Sequence, residues 1–174
     1  NRIKVVKDTL TLPNIIFAAL TDVAVDAGGN IYIANKNNGC IIKLTAALLY
    51  SMKFGCGTIS SPSGLAVDSA GNIYVAAKNG TDSRIEKYTA AGAIVSQNYI
   101  TGANVINAKG LGIDRGTTPN YLYIAGCPGA NKACRYNLTT GAYVDASADL
   151  GETVYDADVI PNGGTIYIAA GGNI

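Results

Sequence analysis

The chain has no histidine and no tryptophan among its 174 residues, one methionine and two phenylalanines. Without histidine, the usual general base, the commonest metal ligand and the Ser-His-acid triad are all excluded. Charge is also scarce, with 14% Asp, Glu, Lys and Arg and a formal net charge of +1. A strongly basic nucleic-acid-binding surface and an acidic tail are excluded, since both act through a large net field. Long apolar runs are missing: Ile15-Ile-Phe-Ala-Ala-Leu20 falls far short of the roughly 20 residues that span a bilayer. Membrane insertion is therefore not expected. Linkers and low-complexity segments are absent, so residues 1–174 are read as one domain. The chain opens Asn1-Arg-Ile with neither an initiator Met nor a basic-then-apolar leader, as a processed chain or a fragment would. Gly, Asn, Ala, Thr, Ser and Tyr fill the polar positions where Lys and Glu are usual in cytosolic domains, which points to an exported protein.

What the chain does contain is a repeat. Its clearest copy is Pro62-Ser-Gly-Leu-Ala-Val-Asp68-Ser-Ala-Gly-Asn72-Ile-Tyr-Val-Ala-Ala77, followed by Ser83-Arg-Ile-Glu-Lys-Tyr88. Two short β-branched and aromatic runs flank the turn residues Asp68 to Gly71, which predicts a tight hairpin. Arg84 to Tyr88 alternates like a half-buried strand, and Ala93-Ile-Val-Ser supplies a fourth. Further copies begin at Val23-Ala-Val-Asp26 and Gly110-Leu-Gly-Ile-Asp114, so that the aspartates stand 42 and 46 residues apart. A fourth, Ala157-Asp-Val-Ile-Pro161-Asn-Gly-Gly-Thr-Ile-Tyr-Ile-Ala169, stops after its second strand. A period near 40 to 45 residues with four strands per unit is that of a propeller blade.

Gly64-Leu-Ala-Val-Asp68, Gly71-Asn-Ile-Tyr-Val-Ala76 and Arg84-Ile-Glu-Lys-Tyr88 resemble the NHL repeat, a propeller-blade family, and the fourth copy resembles the related YVTN-type blade, whose first turn is one residue longer. The resemblance implies an all-β propeller with blades near residues 21–56, 62–100, 109–146 and 156–174. Laid end to end, the termini recreate a missing strand: Asn1-Arg-Ile-Lys-Val-Val6 and roughly residues 9–17 supply strands three and four of the last blade. Three outcomes remain open: ring closure within one chain, donation of these strands to a neighbouring copy, or a piece of a larger propeller. The lyases that resemble these repeats lean on histidine, and this chain has no position to receive their active sites. No cofactor and no catalytic residue is expected.

The four cysteines contain no Cys-x-x-Cys pair, so no zinc site is expected. Cys127 and Cys134 stand opposite each other at the base of the loop 128–133, where a bridge would staple a hairpin and imply an oxidising compartment. Cys40 and Cys56 lie on adjacent strands, but a turn at Thr45-Ala-Ala47 sets Cys40 nearer Met52. That pair is left open between a disulfide and two buried thiols. Asn79-Gly-Thr81 and Asn137-Leu-Thr139 match the glycosylation acceptor pattern in expected exposed turns.

Two further groups of residues are candidates for function. Asp156 and Asp158 share one face of the first strand of the last blade, where paired carboxylates suit acid-base work or calcium. Asp158 replaces either the small residues Ala24, Ala66 and Gly112 or the aliphatic Val23, Leu65 and Leu111, depending on the length of the turn that follows it. Asp26, Asp68 and Asp114 recur in every copy and are read as turn caps. The loops between second and third strands place Lys36, Asn37, Asn38, Lys78, Asn79, Asp82, Asn131 and Lys132 on one face, with Arg84 and Lys109 nearby. That mildly basic, amide-rich rim can hydrogen-bond polysaccharide or protein. The sequence is thus read as a secreted, non-catalytic structural, adhesive or assembly module whose partners are other copies of itself, with a filament subunit as its most specific form. The alternatives are a monomeric carbohydrate- or protein-binding module that uses the Lys/Asn face, and a hydrolase or lyase built on Asp156 and Asp158.

Overall fold

The computed structural model describes residues 19–79, 82–116, 120–127, 129–160 and 165–171, with residues 79 and 82 described by their backbone alone. The expected strands in residues 1–17 and the turn at Asn162-Gly163 lie outside the described residues.

Strands β1 (Leu20–Val25), β2 (Ile31–Asn35), β3 (Cys40–Leu44) and β4 (Tyr50–Phe54) form the first antiparallel sheet, in that order. The second holds β5 (Gly64–Val67), β6 (Ile73–Asn79), β7 (Asp82–Tyr88) and β8 (Ile94–Ile100); the third holds β9 (Leu111–Asp114), β10 (Tyr121–Ala125), β11 (Ala133–Asn137) and β12 (Tyr143–Ala146). Strands β13 (Thr153–Val159) and β14 (Ile166–Gly171) form a fourth sheet of two described strands. A short 3-10 helix, Ala103–Val105, is the one helix among the described residues and links the second sheet to the third. This is the all-β propeller architecture that the repeat predicts.

The central strands read as unbroken apolar runs because both of their faces are buried. Ile73, Val75 and Ala77 pack toward the first sheet, in a cluster with Tyr32, Ile41 and Phe54. Tyr74 and Ala76 point the other way, into a cluster with Leu122, Ile124 and Tyr136 of the third sheet. Tyr123 and Ala125 in turn meet Val154, Ala157 and Val159 of the fourth. Near the axis the strands come closer still. A Cβ on Gly64 would lie 2.0 Å from the Lys109 carbonyl oxygen, so this position has no room for a side chain.

The recurring Asp-x-x-Gly-Asn-x-Tyr signature is a hydrogen-bond device. Oδ1 of Asp68 accepts from the amides of Ala70 and Asn72 at 2.9 and 2.8 Å, while Oδ2 accepts from Asn72 Nδ2 and the buried Tyr74 hydroxyl. Asp26 repeats the set with Gly28, Asn30 and Tyr32. The glycine is required because the turn puts Gly29 and Gly71 at φ of +79° and +82°. Asp114 keeps the first of these bonds, to the Gly116 amide. Some burial raises the Asp26 pKa, but the bonds from Asn30, Tyr32 and Gly28 outweigh it and hold the carboxyl below its ordinary value.

The register also resolves two points that the sequence leaves open. Val159 pairs with Ile166, whereas Val25 pairs with Ile31 and Val67 with Ile73, so the last hairpin has the longer turn. Asp158 faces Tyr167 across that hairpin as Ala24, Ala66 and Gly112 face Tyr32, Tyr74 and Tyr123. Asp158 therefore takes the small position near the axis. The expectation that Cys40 lies nearer Met52 is wrong. The β3–β4 turn is centred later, with Leu48 at φ +62° and a register shift at Leu44, so Lys43 faces Met52 and Ile41 faces Phe54. Cys40 then meets Cys56, and the two form a disulfide with Cα atoms 4.4 Å apart.

Replacing Asp68 with Ala removes four acceptor contacts and strands the buried Tyr74 hydroxyl, so the variant is expected to lose about 3 kcal/mol of stability, measured by urea unfolding. A loss below about 1 kcal/mol would show that the turn network is incidental.

Candidate functional site

The inner strands β1, β5, β9 and β13 surround a channel of about 380 Å³. Successive inner strands pack side by side from β1 to β5, β9 and β13; among the described residues no comparable seam joins β13 back to β1. Most of the channel wall is small or aliphatic, as in Ala24, Ala66, Val67 and Gly112. Among the described residues its charged groups are Asp22, Asp156, Asp158 and Arg115.

The strand register places Asp22 and Asp156 at one level, since they pair with Ala34 and Ala169 as Gly64 pairs with Ala76. Asp22 spans two sheets. It accepts from the Val23 amide at 2.7 Å and from the Leu65 amide of the next sheet at 2.6 Å. Asp156 and Asp158 each accept from the amide of the residue that follows, Ala157 and Val159, at 2.9 and 2.8 Å. Asp156 also leans over Gly110, where a Cβ would fall 1.9 Å from its Oδ1. Arg115 reaches the Val25 carbonyl, at the end of β1 away from Asp22.

Burial pushes Asp22 up to about 6; the Leu65 and Val23 amides oppose that rise, and the charges of Asp156 and Asp158 add to it. Burial also raises Asp156, with a further push from Asp158. Among the described residues no three His, Cys, Asp or Glu side chains converge to hold a metal ion. The carboxylates thus face a common space without forming a chelate, and each already accepts from a backbone amide.

The expected Lys/Asn face is unevenly available. Lys36, Asn37, Asn38 and Lys78 are exposed, and Asn131 and Lys132 are half-buried. Arg84 is withdrawn from it: its guanidinium pairs at 2.6 Å with Glu86, which is fully buried and also accepts from the Tyr88 hydroxyl. Lys109 lies over the Tyr155 ring at 4.1 Å. The side chains of Asn79 and Asp82 lie outside the described residues, and with Asn79 one of the two glycosylation motifs. In the other, Asn137 accepts from the Thr139 and Thr140 amides and so closes a turn. The expected Cys127–Cys134 bridge is present, its Cα atoms 5.8 Å apart. Two disulfides are compatible with an extracellular protein, and no helix among the described residues is long and apolar enough to cross a membrane.

Sequence reasoning missed Asp22 and Tyr167. Asp22 could have been found two residues before Ala24, in the place of Gly64. Tyr167 is the counterpart of Tyr32, Tyr74 and Tyr123, which are 0%, 0% and 4% exposed, yet it is 62% exposed.

Because the folded pKa of Asp22 lies above its ordinary 3.8, its contribution to stability is fully present below about pH 4 and is lost as pH rises to about 6. The melting temperature of the Asp22→Asn variant is therefore expected to gain on that of the parent as pH rises from 4 to 6. Parallel pH profiles would contradict the placement of this carboxylate.

Two family models match the chain: the NHL repeat over residues 17–44 and a β-propeller repeat, SBBP, over residues 57–78. No curated protein matches it. Among solved structures, the chain is similar to a catalytically inactive histidine-to-alanine variant of virginiamycin B lyase from Staphylococcus aureus with quinupristin, at 16% identity and a TM-score of 0.66, over 92% of this chain and 51% of that one. It is similar to a chain of a nidogen/laminin complex at 12% identity and a TM-score of 0.55, over 88% of this chain and 73% of that one. Hydrazine synthase of Kuenenia stuttgartiensis matches at 14% identity and a TM-score of 0.60, over 90% of this chain and 44% of that one. The chain thus spans about half the length of the lyase and the synthase. At these identities the likenesses establish the β-propeller fold, and the two matched repeats support an NHL-type β-propeller family.

Proposed function

We propose that this chain is a non-catalytic interaction and assembly module of an exported protein, and that the uncovered face of its fourth sheet is where assembly occurs. The observation that carries this reading is Tyr167. Its three counterparts are buried in the seams between successive sheets, while Tyr167 stands 62% exposed beside Asp156 and Asp158. That face has the register of a seam and no covering sheet among the described residues. Among the described residues, strands β13 and β14 have no third or fourth strand beside them, unlike the other sheets. A second copy that brings strand-forming residues such as Ile3, Val5 and Val6 would supply them, and where the rotation between copies fails to close, the product is a filament. The neighbours include enzymes, so fold does not decide catalysis. The absence of histidine and the engagement of every channel carboxylate with a backbone amide favour the non-catalytic reading.

Light scattering over a dilution series with intact disulfides tests this reading. Particles at multiples of 17.9 kDa are expected, and Tyr167→Lys should shift them toward the single-chain mass. A mass of 17.9 kDa at every concentration would overturn the assembly reading and turn attention to the exposed Lys36 and Lys78 as a binding face.

A further inference from the structure

A second cavity, of about 400 Å³, opens at the outer junction of the second and third sheets and shares no lining residue with the channel. Its wall carries three tyrosines, Tyr99, Tyr136 and Tyr143, together with Thr101 and Asn104 from the connection that follows β8. None of the described residues that line it is Asp, Glu, Lys or Arg, which disfavours a charged ligand. Its size lies within the roughly 300–1,000 Å³ of small-molecule sites.

The tyrosines are held in different ways. Tyr143 is 47% exposed and meets the buried Tyr136 edge-on, with ring centroids 5.5 Å apart. The Tyr99 hydroxyl donates to the Leu138 carbonyl, and the Lys87 ammonium lies 5.0 Å from its ring. Burial pushes the Tyr136 phenol up to about 12, and the neighbouring Asn104 amide opposes that rise. An amide has two donors and an acceptor with two lone pairs, so Asn104 retains bonding capacity beyond Tyr136. Gly141, at φ +70°, closes one wall; a Cβ there would meet the Tyr99 carbonyl at 3.0 Å.

An open, uncharged site that combines a half-exposed aromatic ring with an amide and hydroxyls suits a ligand with one apolar face and a polar perimeter. A pyranose ring has that character: its C–H face stacks on an aromatic ring while its hydroxyls exchange hydrogen bonds with amides. We infer that the junction of the second and third sheets is a binding site for a neutral oligosaccharide, with Tyr143 as the stacking platform and Asn104 as the polar contact. This site is independent of the assembly face at Tyr167.

The test is a titration of the ¹⁵N-labelled chain with cellohexaose, mannohexaose and xylohexaose, followed by amide chemical shifts, with a decaproline peptide in parallel. At least one sugar is expected to move the amides of residues 101–104 and 141–143. Tyr143→Ala and Asn104→Leu are each expected to weaken that binding about tenfold, the equivalent of losing one stacking or hydrogen-bonding contact. Tyr143→Ala gives up the edge-on contact with Tyr136, so this variant should melt a few degrees below the parent yet stay folded at the temperature of the titration, which separates lost binding from lost folding. No response to any of the three sugars, shifts confined to other residues, undiminished binding by both variants, or a response to decaproline alone would each overturn the inference.

Discussion

Everything in this structure depends on the fact that its central strands are apolar on both faces. Ile73, Val75 and Ala77 face one neighbour while Tyr74 and Ala76 face the other, and all five are buried. A single sheet of this kind, alone in water, would expose side chains each worth about 1.5 to 3 kcal/mol on burial. The sheets are therefore stable only as a stack, and stacking fixes the rest. Gly64 and Gly112 follow because inner strands that pack around an axis leave no room for a Cβ between neighbouring backbones. The cross-sheet bond from the Leu65 amide to Asp22 belongs to the same close approach.

The Asp-Gly-Asn-Tyr turns supply the polar side of that constraint. A tyrosine directed into a seam needs a partner for its hydroxyl, and the aspartate one hairpin turn away provides it. One carboxylate thus shapes the turn with its first oxygen and satisfies the buried phenol with its second. This explains why the signature recurs with its internal spacing intact in the first two sheets. The third keeps Asp114 and Tyr123, and its longer turn has a different sequence.

The sequence displays this architecture clearly because the forces that build it are local and periodic. Strand alternation, Asp-Gly turns and a period of 42 to 46 residues are readable from residues 23 to 125 without reference to distant contacts. Features that depend on register were less legible. Whether Asp158 stands in the place of Ala24 or of Val23 turns on one extra residue after Val159. Whether Cys40 meets Cys56 turns on a register shift at Leu44 that composition does not reveal. Arg84 looked available because its strand alternates polar and apolar residues, yet the buried Glu86 claims it. The tyrosine-lined junction was illegible for another reason: Tyr99, Asn104 and Tyr143 come from two repeats and meet only when the sheets stack.

The fourth sheet departs from the others in a way that bears on any partner it takes. In the first three sheets the residue nearest the axis on the leading face is Ala24, Ala66 or Gly112, and the tyrosine opposite it is buried by the next sheet. In the fourth that residue is Asp158, with Asp156 a step above it and Tyr167 uncovered. An element that packs there must bury a tyrosine and at the same time leave two carboxylates hydrated or match them with cations, because burying them unpaired would cost several kcal/mol each. Arg2, Lys4 and Lys7, interleaved with Ile3, Val5 and Val6, are the one stretch of this chain that alternates cations with β-branched residues in that way. A seam of this composition would be weaker than the apolar seams beside it and would depend on salt and pH. Those are the properties that the proposed contact between copies would have, as distinct from a seam that folds one chain.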